Sequence, residues 1–599
     1  MRIFKLVIIF IYLSSLKQLY AADVEISGTQ ATREDLQASS TLTISGTLDG
    51  DLNNIVRGYI AAGNEIDNAT VVVESGGVIQ GKSNAIMGRE TSGLTVTNSG
   101  TIEATSSKAI QLQDSQNATI TNKSGGLIFA DTNAIVQQSV GTEDATGASI
   151  TNAGTIYSVE NRAIYFYDGA TDATFTNESG GIIYNTSTFA TVQIDTSSTL
   201  VNSGTIDNRN SPSNAGIAIV GNNNTITLKD KSILVGKIDG GTTTGNTLKF
   251  QHGVGQGYFY ETAGSFTLQD LDGNQVVKGS AGSVGQGGGE TLDELLSYKS
   301  LNIRQFLNRY KDSENLYDGN GWGETYTSLL NRKGHATNLA LEYDLFNVGA
   351  NLISPLENSD FILAFEAGVQ DFETDHKITY QNVSAGLYLP SNKYLLNLDS
   401  FILGGITLKE GERTILTNTT SSGKLNIDSN YQTFEVHSGV TKTNSKLIPN
   451  VGLTGSFSIT PSYDESKYYS WRNRKVGNVS VFFSDKYNLI NNDNNNFNLG
   501  WLLDFRNSVG DKSQVYSING TSATYKQDNA LTREISLVAN LGYEKKITDN
   551  GKFTAGVSVK NTNQDVKSLS GNLGFKLKFW YNFSLIKSTL LYLKLFLNN

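Results

Sequence analysis

Thr97-Asn98-Ser99-Gly100-Thr101-Ile102 is the phrase on which the fold turns, because the chain keeps returning to it. It recurs as Thr121-Asn122-Lys123-Ser124-Gly125-Gly126-Leu127-Ile128, Thr151-Asn152-Ala153-Gly154-Thr155-Ile156, Thr176-Asn177-Glu178-Ser179-Gly180-Gly181-Ile182-Ile183 and Val201-Asn202-Ser203-Gly204-Thr205-Ile206. An earlier version, Val73-Glu74-Ser75-Gly76-Gly77-Val78-Ile79, lacks the asparagine. Asn98, Asn122, Asn152, Asn177 and Asn202 stand about 25 residues apart with one longer insertion, a period within the range of solenoid units. A second apolar pair trails each phrase, at Ala85-Ile86, Ala109-Ile110, Ala134-Ile135 and Ala163-Ile164. A third strand precedes the next asparagine, as in Ala118-Thr119-Ile120-Thr121. Three short alternating strands per period, punctuated by Gly, Asn and Ser, describe one rung of a parallel β-helix. A single rung cannot bury its own Ile and Val, so each gains a core only by stacking on its neighbours at about 4.8 Å per rung. Asparagine at the same turn of every rung can hydrogen-bond to its counterpart in the next. It also tolerates the left-handed backbone such a turn asks for.

Outward from the repeat, composition agrees with many short strands and tight turns. The 599 residues include 60 glycines and only 5 prolines, with 38% hydrophobic and 17% charged residues, which fits neither a disordered chain nor a helical enzyme. A formal charge of -10 and a pI near 5.1 leave no basic footprint for nucleic acid. There is no cysteine, so disulfides and thiolate metal sites are excluded.

At the N-terminus Arg2 and Lys5 precede the apolar run Leu6 to Leu13, and Ala21 and Ala22 follow, the order of a secretory signal peptide over residues 1–22. Cleavage is expected after Ala21 or Ala22; the alternative is an uncleaved anchor, for which the run is short. The middle of the chain holds no stretch long and apolar enough for a membrane helix, so a membrane-embedded form has to be a barrel.

After the repeat region, residues 23–278, a Gly-rich connector from Gly279 to Gly289 leads into a helical pattern over Thr291 to Asp312. Thr291 caps it, and Leu292, Leu295, Leu296, Ile303, Phe306, Leu307 and Tyr310 recur at helical spacing. About 22 residues at 1.5 Å each span roughly 33 Å, close to a bilayer's hydrocarbon thickness. With Asp293, Glu294, Lys299, Arg304 and Arg309 along it, this helix suits a polar lumen better than lipid, or else packs on a barrel's periplasmic end. Within a last domain of residues 314–579, about twelve alternating strand segments run from Gly321 to Phe579, such as Phe361-Ile362-Leu363-Ala364-Phe365 and Trp501-Leu502-Leu503-Asp504-Phe505. A soluble β-sandwich is the alternative. In the last of these segments Leu573, Phe575, Leu577 and Phe579 share one face.

These residues carry a resemblance. The run Asn224 to Ile238 followed by Asn246-Thr247-Leu248-Lys249-Phe250 resembles the last rungs of autotransporter passengers, although β-helix repeats alone would also fit a phage tail or a polysaccharide lyase. The helix with Leu292, Leu296, Ile303, Phe306 and Arg309 looks like the pore helix of that family, and the segment ending at Phe579 is similar to the closing strand of outer-membrane proteins. The chain departs from the family by continuing through residues 580–599, an atypical tail. The resemblance implies an all-β fold: a right-handed parallel β-helix passenger, a linker α-helix and a C-terminal 12-stranded antiparallel transmembrane β-barrel. It further implies outer-membrane localisation, outer-membrane lipid and the export and barrel-assembly machinery as partners, and a passenger displayed on the cell surface.

Chemistry is sparse. His252, His335, His376 and His437 lie apart, without metal-ligand spacing. No Gly-x-Ser-x-Gly elbow occurs and no carboxylate pair stands out. The expectation is therefore no catalytic residue, metal or cofactor, no nucleic acid, and an adhesin or surface-interaction passenger with a ligand on a host or neighbouring cell. A secreted hydrolase on the same carrier and a plain outer-membrane pore are the rivals.

Overall fold

The computed structural model describes residues 23–50, 54–58, 66–140, 145–210, 213–277, 281–285, 291–312, 321–333, 342–356, 359–390, 398–442, 449–466, 469–492, 494–511, 513–518, 525–528, 533–548 and 551–577. The expected signal segment with Ala21 and Ala22, the aromatic Phe579 and the tail lie outside them. The chain divides into two compact units, residues 1–285 with 414–426, and residues 286–413 with 427–599.

The first unit is a parallel β-solenoid of three sheets. One runs through eleven strands from Val24–Ile26 to Thr267–Asp270, a second through nine from Thr29–Gln30 to Ile233–Val235, and a third through ten from Glu34–Asp35 to Thr262–Ala263. Register stacks like on like: Val96, Ile120, Ile150, Phe175 and Leu200 form one column, and Ile102, Ile128, Ile156, Ile183 and Ile206 another. A third runs Ile86, Ile110, Ile135, Ile164. All are buried, and each such side chain contributes roughly 1.5–3 kcal/mol that a lone rung could not collect.

Glycine in the repeated phrase answers two needs. Gly125 sits at φ 85, where an L side chain would be strained. Gly154 has no such angle, but a Cβ there would lie 2.3 Å from the Gly126 carbonyl oxygen of the preceding rung.

A stretch from far along the sequence, residues 414–426, also belongs to this first unit. Leu416 pairs in parallel with Tyr258. Asn418 donates its side-chain amide to the carbonyls of Gly236 and Glu261 at 3.1 and 3.0 Å and accepts from the Glu261 amide at 2.8 Å.

The second unit holds the helix Leu292–Asp312 and twelve long antiparallel strands: Gly321–Arg332, Tyr343–Pro355, Asp360–Phe372, His376–Leu389, Leu398–Thr417, Lys424–Lys442, Asn450–Thr460, Arg474–Asn491, Asn495–Gly510, Arg533–Thr548, Gly551–Thr562 and Val566–Leu577, of which the fifth and sixth end within the stretch 414–426 that belongs to the first unit. Each pairs with the next, and the last pairs back onto the first over its full length, Gly321 opposite Leu577 and Arg332 opposite Val566, so the cylinder is closed and has no open edge there. Additional short strands, Tyr463–Glu465, Tyr469–Trp471, Ser513–Ile518 and Tyr525–Asp528, grow from connections at the end where Arg332 lies.

Alternation along the strands sorts the two faces. On the first strand Glu324, Ser328 and Arg332 are buried while Leu329 is 57% exposed. Phe346, Val383, Ile402, Leu408, Val479, Leu537, Val559, Leu573 and Phe575 are exposed in the same way around the circumference. A water-soluble barrel has the opposite outer face: here the outward side chains are apolar, as in barrels that live in lipid, and the charged and polar ones face in together with the apolar groups that pack on the helix.

Candidate functional site

The interior of the barrel is the place where function-bearing side chains converge. Thr291 exchanges hydrogen bonds with Gln370 at the helix start, at 3.1 Å from the Gln370 amide. One turn on, the Glu294 carboxylate accepts from Arg332 Nε at 2.9 Å and from the Tyr343 hydroxyl at 2.8 Å. Lys299 donates to Glu435 at 2.9 Å and to Thr407 at 2.7 Å. Arg304 meets Asp504 at 3.2 Å, Arg309 grips both oxygens of Glu324 at 2.6 and 2.5 Å, and Lys311 pairs with Asp399. These partners sit on strands from opposite sides of the wall. A helix can reach all of them only from inside the cylinder.

Its apolar stripe divides the packing. Ile303, Phe306, Leu307 and Tyr310 pack with Trp322, Ile353, Ile362, Tyr388 and Phe401. Leu295 and Tyr298 pack with Leu330, Tyr343, Leu345 and Phe372, and Leu301 with Phe482, Leu502 and Val538. The expected helix residues therefore take these places: Leu292 and Leu296 buried near the start, Ile303 and Phe306 buried further along, and Arg309 28% exposed at its side chain in its pair with Glu324. Charges left in a low-dielectric lumen must be paired, and among the described helix residues these are. The fill is incomplete: a cavity of about 170 Å³, lined by Gln305, Asn308, Asp399 and Asn540 on its polar part and by Trp501 and Leu502 on its apolar part, runs beside the second half of the helix.

One glycine on the wall belongs to this packing. A Cβ at Gly349 would lie 2.2 Å from the ring of Tyr326, whose hydroxyl donates to Glu366 at 2.6 Å. The ring occupies the space a side chain would need.

In the first unit the asparagines of the repeated phrase are fully buried. Asn98 donates its side-chain amide to Asn122 at 2.8 Å, Asn122 to Asn152 at 2.8 Å, Asn152 to Asn177 at 2.9 Å and Asn177 to Asn202 at 2.8 Å. Each amide also reaches a turn carbonyl of its own rung or the next, as Asn152 does to Gly154 at 3.2 Å. Each is thus satisfied in a corner that admits no water.

Near the end of the solenoid His252 is buried, 3.0 Å from the Tyr260 hydroxyl, and Tyr258 donates to Asp270 at 2.7 Å. Burial pushes the imidazole pKa down to about 3 and raises those of the Tyr260 phenol and the Asp270 carboxyl. The sequence offered no reason to group these residues. Among the described residues no cluster of His, Asp and Glu has the makings of a metal site. On the closing strand Leu573 and Phe575 face outward, and the strand ends at Leu577.

A family model described as "Protein of unknown function, DUF481" matches residues 486–590. No curated protein matches the chain. Among solved structures the chain is similar to the translocator domain of autotransporter NalP from Neisseria meningitidis, at 12% identity and TM-score 0.32, covering 49% of this chain and 100% of that one. It is also similar to the transport unit of the autotransporter AIDA-I from Escherichia coli, at 14% identity and TM-score 0.27, covering 44% and 93%. The Pseudomonas putida toluene transporter TodX aligns at 6% identity and TM-score 0.27, covering 44% and 90%.

Proposed function

We propose that this protein is an outer-membrane autotransporter, whose barrel carries and anchors its own β-solenoid passenger at the cell surface. The observation that carries the reading is the helix held inside a closed barrel whose outer wall is apolar. Backbone groups in hydrocarbon must be satisfied internally, and a closed cylinder does that. The helix begins at the Arg332 end, the end with the added strands, and finishes at the Glu324 end. The end with the added strands is the surface side in this reading.

The passenger emerges unfolded and stacks rung by rung, since its contacts are local and sequential, and folding outside biases movement outward. Outer-membrane lipid and the export and barrel-assembly machinery are the partners of the carrier. For the passenger we favour adhesion to a ligand on a host or neighbouring cell, with no catalysis. Mild protease treatment of intact cells, with mass spectrometry of what is released, tests the proposal: solenoid peptides from residues 23–277 should be shed while the barrel stays in the membrane. A chain that partitions into water as a monomer without detergent would sink it.

A plain pore is the second reading, favoured by the cavity beside the helix. Planar-bilayer recordings separate the two. An autotransporter with its helix seated passes little current; a pore passes it steadily.

A further inference from the structure

Small and polar side chains cover most of the solenoid's exterior, as in the column Thr95, Thr119, Ser149, Thr174, Thr199 of the eleven-stranded sheet. Two places depart from this: on the ten-stranded sheet Tyr165 and Tyr167 stack within one strand with Arg162 4.5 Å over Tyr165, and a strip that runs across several rungs lies on the nine-stranded sheet. On the nine-stranded sheet Phe129, Tyr157 and Tyr184 stand in register on consecutive rungs, their ring centroids 5.1 and 4.2 Å apart. Leu127, Thr155 and Ile182 form the column beside them. The rung before carries Thr101 and Glu103 in these columns, and the rung after carries Thr205 and Asp207. Arg209 lies 4.0 Å over the Tyr184 ring and is steadied there by Asp207 at 2.8 Å. All three rings are only half buried, and Ile182 is 36% exposed. Nothing in the stacking of rungs requires aromatic groups in water here, since on other rungs the same columns hold Val78, Thr101, Thr205 and Ile233 in one and Gln80, Glu103, Asp207 and Val235 in the other. A patch rich in Tyr and Arg is the composition of a binding surface.

Size and charge select the occupant. Three rungs at about 4.8 Å and two columns about 7 Å apart give a footprint on the order of 200 Å². That is a quarter of the roughly 800 Å² a protein partner covers. A sugar chain needs less: because each ring covers the face of the next, its C–H groups lie against Leu127, Ile182 and the outward edges of the rings, and its hydroxyls meet the phenols of Tyr157 and Tyr184 and the hydroxyls of Thr155 and Thr205. Equal groups repeat along the axis, so successive sugar units find similar surroundings. Between residues 23 and 285 there are 26 Asp and Glu against 13 Lys and Arg, which disfavours an anionic sugar.

We propose that this strip binds a neutral polysaccharide laid along the solenoid axis. The proposal rests on reading this unit as a displayed passenger and names the class of ligand it takes.

The test titrates the full chain in detergent micelles with neutral hexasaccharides of gluco-, manno-, galacto- and xylo- backbones, and with a hyaluronan hexasaccharide for comparison, by saturation-transfer NMR and calorimetry. At least one neutral chain should bind, and hyaluronan more weakly. Tyr157→Ala and Tyr184→Ala should each weaken binding by about tenfold, as loss of a central ring does. Tyr157→Phe, which keeps the stack and removes one hydroxyl, should fall between. Thr151→Val, on another sheet, should change nothing. An unaltered protease-resistant fragment confirms that the variants fold. Absence of binding to every neutral probe, or undiminished binding in the Tyr157→Ala/Tyr184→Ala double variant, overturns the proposal. Shaving of intact cells reads display separately, so loss of sugar binding with normal shaving leaves the carrier role standing.

Discussion

Lys299 on the helix and Glu435 on the wall meet inside the barrel with the ammonium nitrogen 2.9 Å from both carboxylate oxygens. Thr407 completes the arrangement, accepting from Lys299 at 2.7 Å and donating to Glu435 at 2.7 Å. Removing one partner of a buried pair strands the other charge and costs about 3–5 kcal/mol, whereas replacing both with apolar groups is far milder. Lys299→Met should therefore lower the temperature of the heat-modifiable gel shift and raise bilayer conductance. Lys299→Met/Glu435→Leu should recover much of both. A double variant as unstable as the single one would refute the coupling.

The asparagine ladder makes a different demand. Asn152 donates to Asn177 and accepts from Asn122, so Asn152→Ala takes from the Asn177 side-chain oxygen its ladder donor, while the Asn122 amide keeps its bonds to the Gly126 and Thr155 carbonyls at 3.2 and 3.1 Å. About 1–3 kcal/mol per orphaned group is the expected loss. Asn152→Asp should be no better, because a carboxylate accepts from Asn122 and cannot donate to Asn177. Urea titration of the full chain, followed by proteolysis of the solenoid, reads the order. Wild-type resistance in either variant would mean the ladder contributes nothing.

His252 gives the solenoid a pH dependence of definite sign. Burial holds its pKa near about 3, below the ordinary value of 6.5, so between those values the unfolded chain takes up a proton that the folded chain refuses. Stability is therefore full above about pH 6.5 and declines as pH falls, by at most about 1.4 kcal/mol per pH unit. Asp270, raised by burial, works the other way, since the folded state takes its proton first, but closer to the carboxylate range. The slope is read between about pH 6 and pH 5 for that reason. His252→Gln should flatten it; an unchanged slope would exclude His252 as its source.

Gly349 is predicted to be intolerant of side chains. Gly349→Val places its Cβ and methyl groups where the Tyr326 ring lies, which must swing away and give up its bond to Glu366. Fewer folded barrels should accumulate in the membrane. Pairing the change with Tyr326→Ala should restore part of the yield, and failure of that rescue would place the defect elsewhere.

Much of the architecture was legible because the signals are local. A recurring Asn-x-Gly phrase with three short strands per period announces stacked rungs, and twelve alternating segments announce a barrel wall. The helix could be read as a polar-lumen element from Lys299, Arg304 and Arg309, but its partners could not: Asp504 lies 200 residues from Arg304, and nothing in either neighbourhood links them. Residues 414–426 joining the solenoid were equally invisible, since Asn418 looks like any loop asparagine until its three bonds are seen. The aromatic strip escaped notice because Phe129, Tyr157 and Tyr184 are separated by whole rungs, and only register brings them side by side.

The ionic contacts inside the barrel act as an end-stop. Glu294, Lys299, Arg304 and Arg309 each find a different counterpart along the lumen, and a lengthwise slip of one helical turn, about 5.4 Å, would unseat all four together. In the carrier role proposed above, a chain drawn through such a bore has one depth at which its travel is arrested. The brake consists of side chains set at matching heights, and needs neither a knot nor a covalent tie.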